Sequence, residues 1–163
     1  MEISKANTGN LEVDLQPMDA GVLLSQTAGE FAERCEAAGL SLVTDIPEGA
    51  LTIMADGRRI WRVFENLMNN AIKYSLAGSR VYVSLHKEGQ EAVFVIRNTS
   101  KQALNISPKE LTERFVRGDA SRTTEGSGLG LSIAKSLTEL QNGRMDIAID
   151  GDLFKVVLRF KVL

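Results

Sequence analysis

The chain has 163 residues, 44% of them hydrophobic and 25% charged, with 19 Lys+Arg against 21 Asp+Glu for a formal charge of −2. That is enough apolar material for one globular domain with its own core, which excludes disorder and fibrous repeats. The near-even charge balance gives no general drive toward nucleic acid or anionic lipid. One cysteine, Cys35, and one histidine, His86, rule out a disulfide framework or a Cys/His zinc site within the chain, and this cysteine usage fits a reducing, cytoplasmic setting. The longest apolar run, Ala92 to Ile96, falls far short of the roughly 20 residues a membrane span needs, so a soluble chain without direct membrane contact is expected.

Residues 1–10 are polar and aperiodic and read as a leader. Leu11 to Asp19 alternates apolar and acidic residues around Pro17, the pattern of a short edge strand. From Ala20 to Ala38, Leu24, Ala28, Phe31 and Cys35 form a one-sided helical stripe, with Gly39 as a left-handed cap and Cys35 on the core face. Leu40 to Asp45 and Leu51 to Met54 read as two strands around the Pro47-Glu48-Gly49 turn. The strongest helix signal runs from Asp56, a suitable N-cap, to Ser75, with Ile60, Val63, Phe64, Leu67 and Ala71 spaced three and four apart. Val81 to His86 and Ala92 to Ile96 predict a hairpin turning at Glu88-Gly89-Gln90. A short helix is expected after Ser107-Pro108, followed by a polar, aperiodic loop over Val116 to Glu125. Leu129, Ile133, Leu137 and Leu140 mark a last helix ending near Gly143, and Arg144 to Ile149 and Leu153 to Val162 close the chain as a second hairpin. Strands and helices without strict alternation predict a two-layer α/β sandwich, its mixed, mostly antiparallel sheet covered on one face by about three helices.

Two stretches carry chemistry. The helix from Asp56 holds Asn66, Asn69 and Asn70, although asparagine is a mediocre helix former. Asn66, Asn70 and Lys73 are four and three apart and share the face away from the apolar stripe. Two amide oxygens beside an ammonium suit a hydrated Mg²⁺ carrying a polyphosphate, because Mg²⁺ keeps several waters and needs few protein ligands. Taken alone, the row reads first as a solvated polar face. The second stretch is Gly126-Ser127-Gly128-Leu129-Gly130-Leu131, where loop becomes helix. Unobstructed backbone N–H groups at a helix start favour a phosphate. Leu131 stands where a Rossmann fingerprint needs glycine, and no Walker Gly-Lys-Ser/Thr occurs. A flexible hinge is the competing reading of this run.

In order, these residues resemble the ATP-binding catalytic domain of sensor histidine kinases, within the superfamily that also holds gyrase, Hsp90 and MutL ATPases. Glu65 to Ser75 is similar to the family's asparagine box, Glu113-Arg114-Phe115 to its phenylalanine box, and Gly126 to Leu131 to its second glycine box. The resemblance covers nearly the whole chain and implies a Bergerat-type ATP-binding fold over residues 11–163. It implies that Asn70 holds Mg²⁺, that Asn66 supports it, that Lys73 meets a phosphate, and that Tyr74 packs near the adenine. Arg117 matches a phosphate-facing arginine, with Arg122 a weaker candidate. Gly126, Ser127, Gly128, Leu129, Gly130 and Leu131 would contact the phosphates through backbone N–H groups. Glu65 matches an acidic residue often found there, read either as catalytic with Asn66 and Asn70 or as an exposed helix charge.

One box departs from the family's usual Asp-x-Gly-x-Gly: this chain has Asn98-Thr99-Ser100-Lys101-Gln102. Asn98 would replace the acid that accepts from the adenine amino group, and Ser100 and Gln102 would replace the glycines. The resemblance further implies phosphoryl transfer from ATP to a histidine on a separate helical dimerisation domain, with a response regulator downstream. Residues 1–10 would be the tail of that domain, and the full-length protein could be anchored in the cell membrane. His86, near a strand end, reads as a surface histidine rather than the acceptor. The alternative is a nucleotide-binding regulatory module with little or no kinase turnover.

Overall fold

The computed structural model describes residues 12–101 and 127–163, with side chains from residue 130 in the second stretch. The predicted helix after Ser107, the loop that follows it, and Gln102, Phe115, Arg117, Arg122 and Gly126 lie outside the described residues, as does the leader.

The elements are β1 (Gln16–Asp19), α1 (Ala20–Ala37), β2 (Ser41–Asp45), β3 (Thr52–Ala55), α2 (Gly57–Tyr74), β4 (Arg80–Glu88), β5 (Glu91–Thr99), α3 (Ser127–Leu140), β6 (Arg144–Asp150) and β7 (Leu153–Lys161). Five strands form a mixed sheet in the order β2-β4-β5-β7-β6, with β2 parallel to β4 and the other pairs antiparallel. This is the expected two-layer α/β sandwich. β1 begins later than the alternation implied and includes Pro17, which faces Met54 of β3. A strand paired on one side alone tolerates a residue without an N–H.

The two strands flanking Pro47-Glu48-Gly49 do not pair with each other. β2 joins the main sheet beside β4, while β3 forms a small antiparallel sheet with β1 and bridges through Ile53 to Val162. Burial accounts for the split: Ile53 and Ala55 are core residues, whereas β2 is largely exposed along its length. The two predicted hairpins form as read, closing over Gly89-Gln90 between Glu88 and Glu91 and over Gly151-Asp152 between Asp150 and Leu153.

The core lies between the helices and one face of the main sheet. Ala92, Phe94 and Ile96 of β5 turn toward the helices, and the Phe64 ring of α2 meets Phe94 edge-on at 5.2 Å. Phe94 in turn meets Phe160 of β7 at 6.1 Å and 88°. Edge-to-face pairs of this kind add to simple burial and fix ring orientation across the layers. On α1 the inward positions are Leu24, Thr27, Phe31 and Cys35; the stripe takes Thr27 where the spacing pointed to Ala28, which is half-exposed. Thr27 can be buried because its hydroxyl donates to Leu23 O at 2.9 Å. Burial pushes the Cys35 thiol up, so it stays protonated in the core.

The end of α3 depends on two neighbours with different tasks. Asn142 takes the left-handed conformation at φ 67°, and Gly143 supplies space. A Cβ on Gly143 would sit 2.7 and 2.8 Å from Phe160 ring carbons and 3.0 Å from Thr138 Cγ2. Phe160 is buried and held against Phe94, so it cannot move aside. Gly143→Ala is therefore expected to lower stability by about 1–3 kcal/mol through overpacking. An unchanged denaturant midpoint would show instead that the Phe160 ring yields.

Candidate functional site

α2 has two faces of opposite character. Ile60, Val63, Phe64, Leu67, Met68 and Ala71 are buried against the sheet, while Asn66, Asn70 and Lys73 are half-buried on another side, and Tyr74 is half-buried at the C-terminal end of the helix. Their partial burial distinguishes the polar row from a solvated surface. α3 passes close by, so that a Cβ on Gly130 would come within 3.9 Å of Asn66 O. Asn66 Nδ2 is itself buried and has no hydrogen-bond partner among the described residues. An unmet buried donor costs about 1–3 kcal/mol, and such groups persist where a ligand or solvent is to be met.

The other polar residues of α2 separate by face. Asn69 Oδ1 accepts from Arg34 Nη2 of α1, and the Arg34 guanidinium lies 4.9 Å from the Phe31 ring centroid. Trp61 also turns to α1, its ring 6.0 Å from Phe31. Glu65 is four residues from both Trp61 and Asn69, so helical geometry puts it on that α1-facing row, about 100° around the axis from Asn66 and about 140° from Asn70. The asparagine row and Glu65 are thus not on one face.

The C-terminal end of α2 is stitched to the end of β5. Leu76 N donates to Thr99 O at 2.9 Å, Lys101 N donates to Tyr74 O at 2.9 Å, and Ser75 bridges to Ser100. Ser100 N donates on its far side to Asp152 O at 2.7 Å. Asn98 is consequently brought beside the asparagine helix. It continues the inward row of Phe94 and Ile96, opposite Val81 and Phe154, and is only 3% exposed. A buried primary amide at the end of an apolar row offers both a donor and an acceptor in a setting where each has a high energetic value. Lys73 Nζ lies 5.8 Å from the Tyr74 ring centroid at the same end of the helix. Leu131 is buried to 1%, so its side chain belongs to the core and only its backbone could serve a ligand.

The opposite end of α2 is fixed by polar contacts that the sequence reading did not find. Asp56 caps the helix as expected, its Oδ1 accepting from Arg58 N and Arg59 N at 3.1 and 3.2 Å. Its Oδ2 accepts from Asp14 N and Arg59 Nη1, both at 2.9 Å, and its own N–H donates to Gln141 Oε1 at 2.8 Å. Burial pushes this carboxyl up, but the Asp14 and Arg59 amides and the Arg59 guanidinium outweigh it and hold it below the usual carboxylate range. Gln141 gave no signal, because a glutamine in Leu140-Gln141-Asn142-Gly143 reads as an ordinary helix end.

The amide-bearing helix α2, the buried polar end of β5 and the start of α3 thus lie near one another in the α/β sandwich. The family model for Histidine kinase-, DNA gyrase B-, and HSP90-like ATPases matches residues 55–162. The chain belongs to this family, as an ATP-binding catalytic domain of the sensor histidine kinase type. It is 30% identical over 146 residues to the signal transduction histidine-protein kinase BaeS of Escherichia coli (strain K12), a match covering 88% of this chain and 31% of that protein. It is 33% identical over 141 residues to the sensor histidine kinase RppB of Synechocystis, covering 83% and 31% respectively. The solved structure of Acinetobacter baumannii histidine kinase AdeS shares the fold with a TM-score of 0.75 at 20% identity, over 98% of this chain and 73% of that one. The chain spans about a third of the length of the curated relatives it matches. Among the described residues, no helix is long and apolar enough to cross a membrane.

The Asp56 carboxyl makes acid stability testable. Because its folded pKa is depressed, its contribution is fully present above the unfolded value of about 3.9 and is lost as pH falls through the folded value. Asn can still cap a helix, so Asp56→Asn should fold, be less stable at neutral pH by about 1–2 kcal/mol, and lose less stability than the parent below about pH 4. Parallel acid-side curves of unfolding free energy for the two proteins would overturn this role.

Proposed function

We propose that this chain binds Mg·ATP between α2, the end of β5 and the start of α3, and that it donates the γ-phosphoryl group to a histidine on a helical dimerisation domain of the same sensor, with a response regulator downstream. The observation that carries the reading is the buried, unpaired Nδ2 of Asn66 on the face that α3 approaches. A phosphate oxygen is the acceptor that such a donor lacks.

The donor set fits the metal. Asn70, one turn beyond Asn66 on the same row, offers an amide oxygen, a hard ligand of the kind Mg²⁺ takes alongside water and phosphate oxygens. When bound, Mg²⁺ supplies charge neutralisation across the phosphate chain. The chain's own groups do the rest. Asn66 Nδ2 donates to the polyphosphate, the Lys73 ammonium sits one turn further along the row to balance its charge, and the amides of residues 126–131 are the phosphate donors at the start of α3. Arg117 is assigned to the phosphates by its place in the motif. Phosphoryl transfer needs little covalent help from the protein, so positioning and charge neutralisation suffice. Glu65, on the α1-facing row, is left as a helix charge. His86, exposed on β4 and paired with Glu88 at 3.1 Å, is left as a surface group.

Tyr74 and Asn98 form the base end of the site, with Ser100 flanking it. Asn98 presents a neutral acceptor where an aspartate would present a charged one. The difference between a charge-assisted and a neutral hydrogen bond is about 1 kcal/mol, or about fivefold in affinity. The amide can also turn its NH₂ toward the O6 of guanine. Asn98→Asp is therefore expected to tighten ATP binding about fivefold while improving GTP binding less. Equal ATP/GTP ratios in the two proteins would show that Asn98 does not read the base.

The decisive experiment is calorimetric titration of ATP with and without Mg²⁺. The parent chain should bind with a clear Mg²⁺ dependence. Asn70→Ala, on the polar face, should keep its thermal midpoint and lose about tenfold or more of its affinity for Mg·ATP. Retained Mg²⁺ dependence in the folded variant would remove Asn70 from the metal, and no binding to the parent would end the nucleotide reading.

A further inference from the structure

We propose that Gln141 is a positioning residue, a clamp that sets the register of α3 along α2 and so couples the nucleotide site to the chain segment entering at Asp14. This rests on the reading that α2 and α3 hold the nucleotide.

The two helices pack closely within one apolar core, and two contacts mark the ends of the pair. At one end Gln141, just past α3, accepts from the N–H of Asp56, the cap of α2. At the other, Gly130 of α3 approaches Asn66 of α2. The helices are therefore antiparallel. With a rise of 1.5 Å per residue, Asp56 to Asn66 spans about 15 Å and Gly130 to Gln141 about 16 Å, so both contacts belong to one straight pair. The contact at Gly130 has no side chain to interlock, and even an added Cβ would make only ordinary contact there. Leu131 and Ala134 hold that end of α3 by apolar packing, which is non-directional and specifies register less sharply than a hydrogen bond. The polar latch is at the far end.

Gln141 is built for that task. It is 1% exposed, and its Nε2 donates to Leu137 O of its own helix at 2.9 Å, which fixes the amide so that Oε1 faces the Asp56 N–H. Both ends of one amide are used, and both partners are backbone groups that would otherwise be unpaired in the interior. Without the clamp, those groups can recover partners only by a shift of α3, and the backbone at the start of α3, from Ser127 on, moves relative to Asn66 and Asn70. Asp56 extends the chain of contacts, since its carboxylate accepts the Asp14 amide. Coupling between two sites is reciprocal, so nucleotide at Asn66 must also tighten the contacts at Asp14.

The test uses Gln141→Leu, similar in volume and unable to make either hydrogen bond, in the full chain. Leu85→Val serves as a control that trims the core beneath α1 without touching α2 or α3. Affinities for Mg·ATP are measured well below the thermal midpoint of every variant, together with hydrogen exchange at the Asp14 amide. Gln141→Leu should bind Mg·ATP about fivefold more weakly, whereas Leu85→Val should lower the midpoint and leave affinity unchanged. Mg·ATP should slow exchange at Asp14 in the parent and not in Gln141→Leu. If Gln141→Leu does not fold, Gln141→Met is held to the same outcomes. A folded variant with parental affinity and parental protection at Asp14 would overturn the clamp. Absence of Mg·ATP binding by the parent itself would be a failure of the nucleotide reading, and the clamp would fall with it.

Discussion

A carboxylate buried at the head of a helix is expensive unless its lone pairs are matched, and Asp56 matches them with four donors from two chain segments. This interaction decides where α2 starts and how it is rotated. Once that rotation is set, every third or fourth residue of α2 is committed: Phe64, Leu67 and Ala71 to the core, and Asn66, Asn70 and Lys73 to the opposite side. The Arg34–Asn69 contact and the Phe31–Trp61 ring pair secure the flank toward α1. What stands at the polar face is consequently rigid. A phosphate-binding row needs such rigidity, because amides that must reorganise on binding lose part of the affinity they supply.

The β5 end follows from the same placement. Two backbone hydrogen bonds between residues 74–76 and 99–101, which make the Ser75–Ser100 bridge, hold the strand end against the helix end. They fix the depth at which Asn98 sits, and Ser100 is placed by its bond to Asp152 O on the opposite side. Ser100, which bears a side chain where a glycine is usual in the family, is accommodated by its bridge to Ser75 and its N–H bond to Asp152 O, while Asn98 stays in register with Val81 and Phe154.

Most of the architecture was legible because the periodic signals were strong. α2 announced itself through five apolar positions at helical spacing and an aspartate cap, and both hairpins through a glycine between alternating strands. The failures have identifiable causes. The two strands around Pro47-Glu48-Gly49 form as read, and their partners were not legible, because Ile53 and Ala55 are buried in a different layer from exposed β2. Thr27 displaced Ala28 because local spacing cannot distinguish three from four residues when a threonine can satisfy its own hydroxyl. Within the site, the Asn66–Asn70–Lys73 row was readable from spacing, and so was its separation from the apolar stripe. That Asn66 Nδ2 would be left without a partner was not readable, because it depends on a helix more than 60 positions away in sequence. Gln141 was invisible for the same reason: its partner is 85 residues distant.

That separation of 85 residues also bears on the order in which the molecule assembles. The β4–β5 hairpin closes through a two-residue loop and can form early, whereas the pairing of β5 with β7 and the meeting of α2 with α3 require distant parts of the chain to find each other. Contacts of high sequence separation bear their loop-closure entropy before they return any stabilisation, so they come late. The groups at the start of α3 cannot stand beside Asn66 until that meeting is complete. A chain with its central hairpin and helices formed, but with α3 undocked, would therefore have much of the secondary structure of the finished protein and none of the surface that α2 and α3 make together.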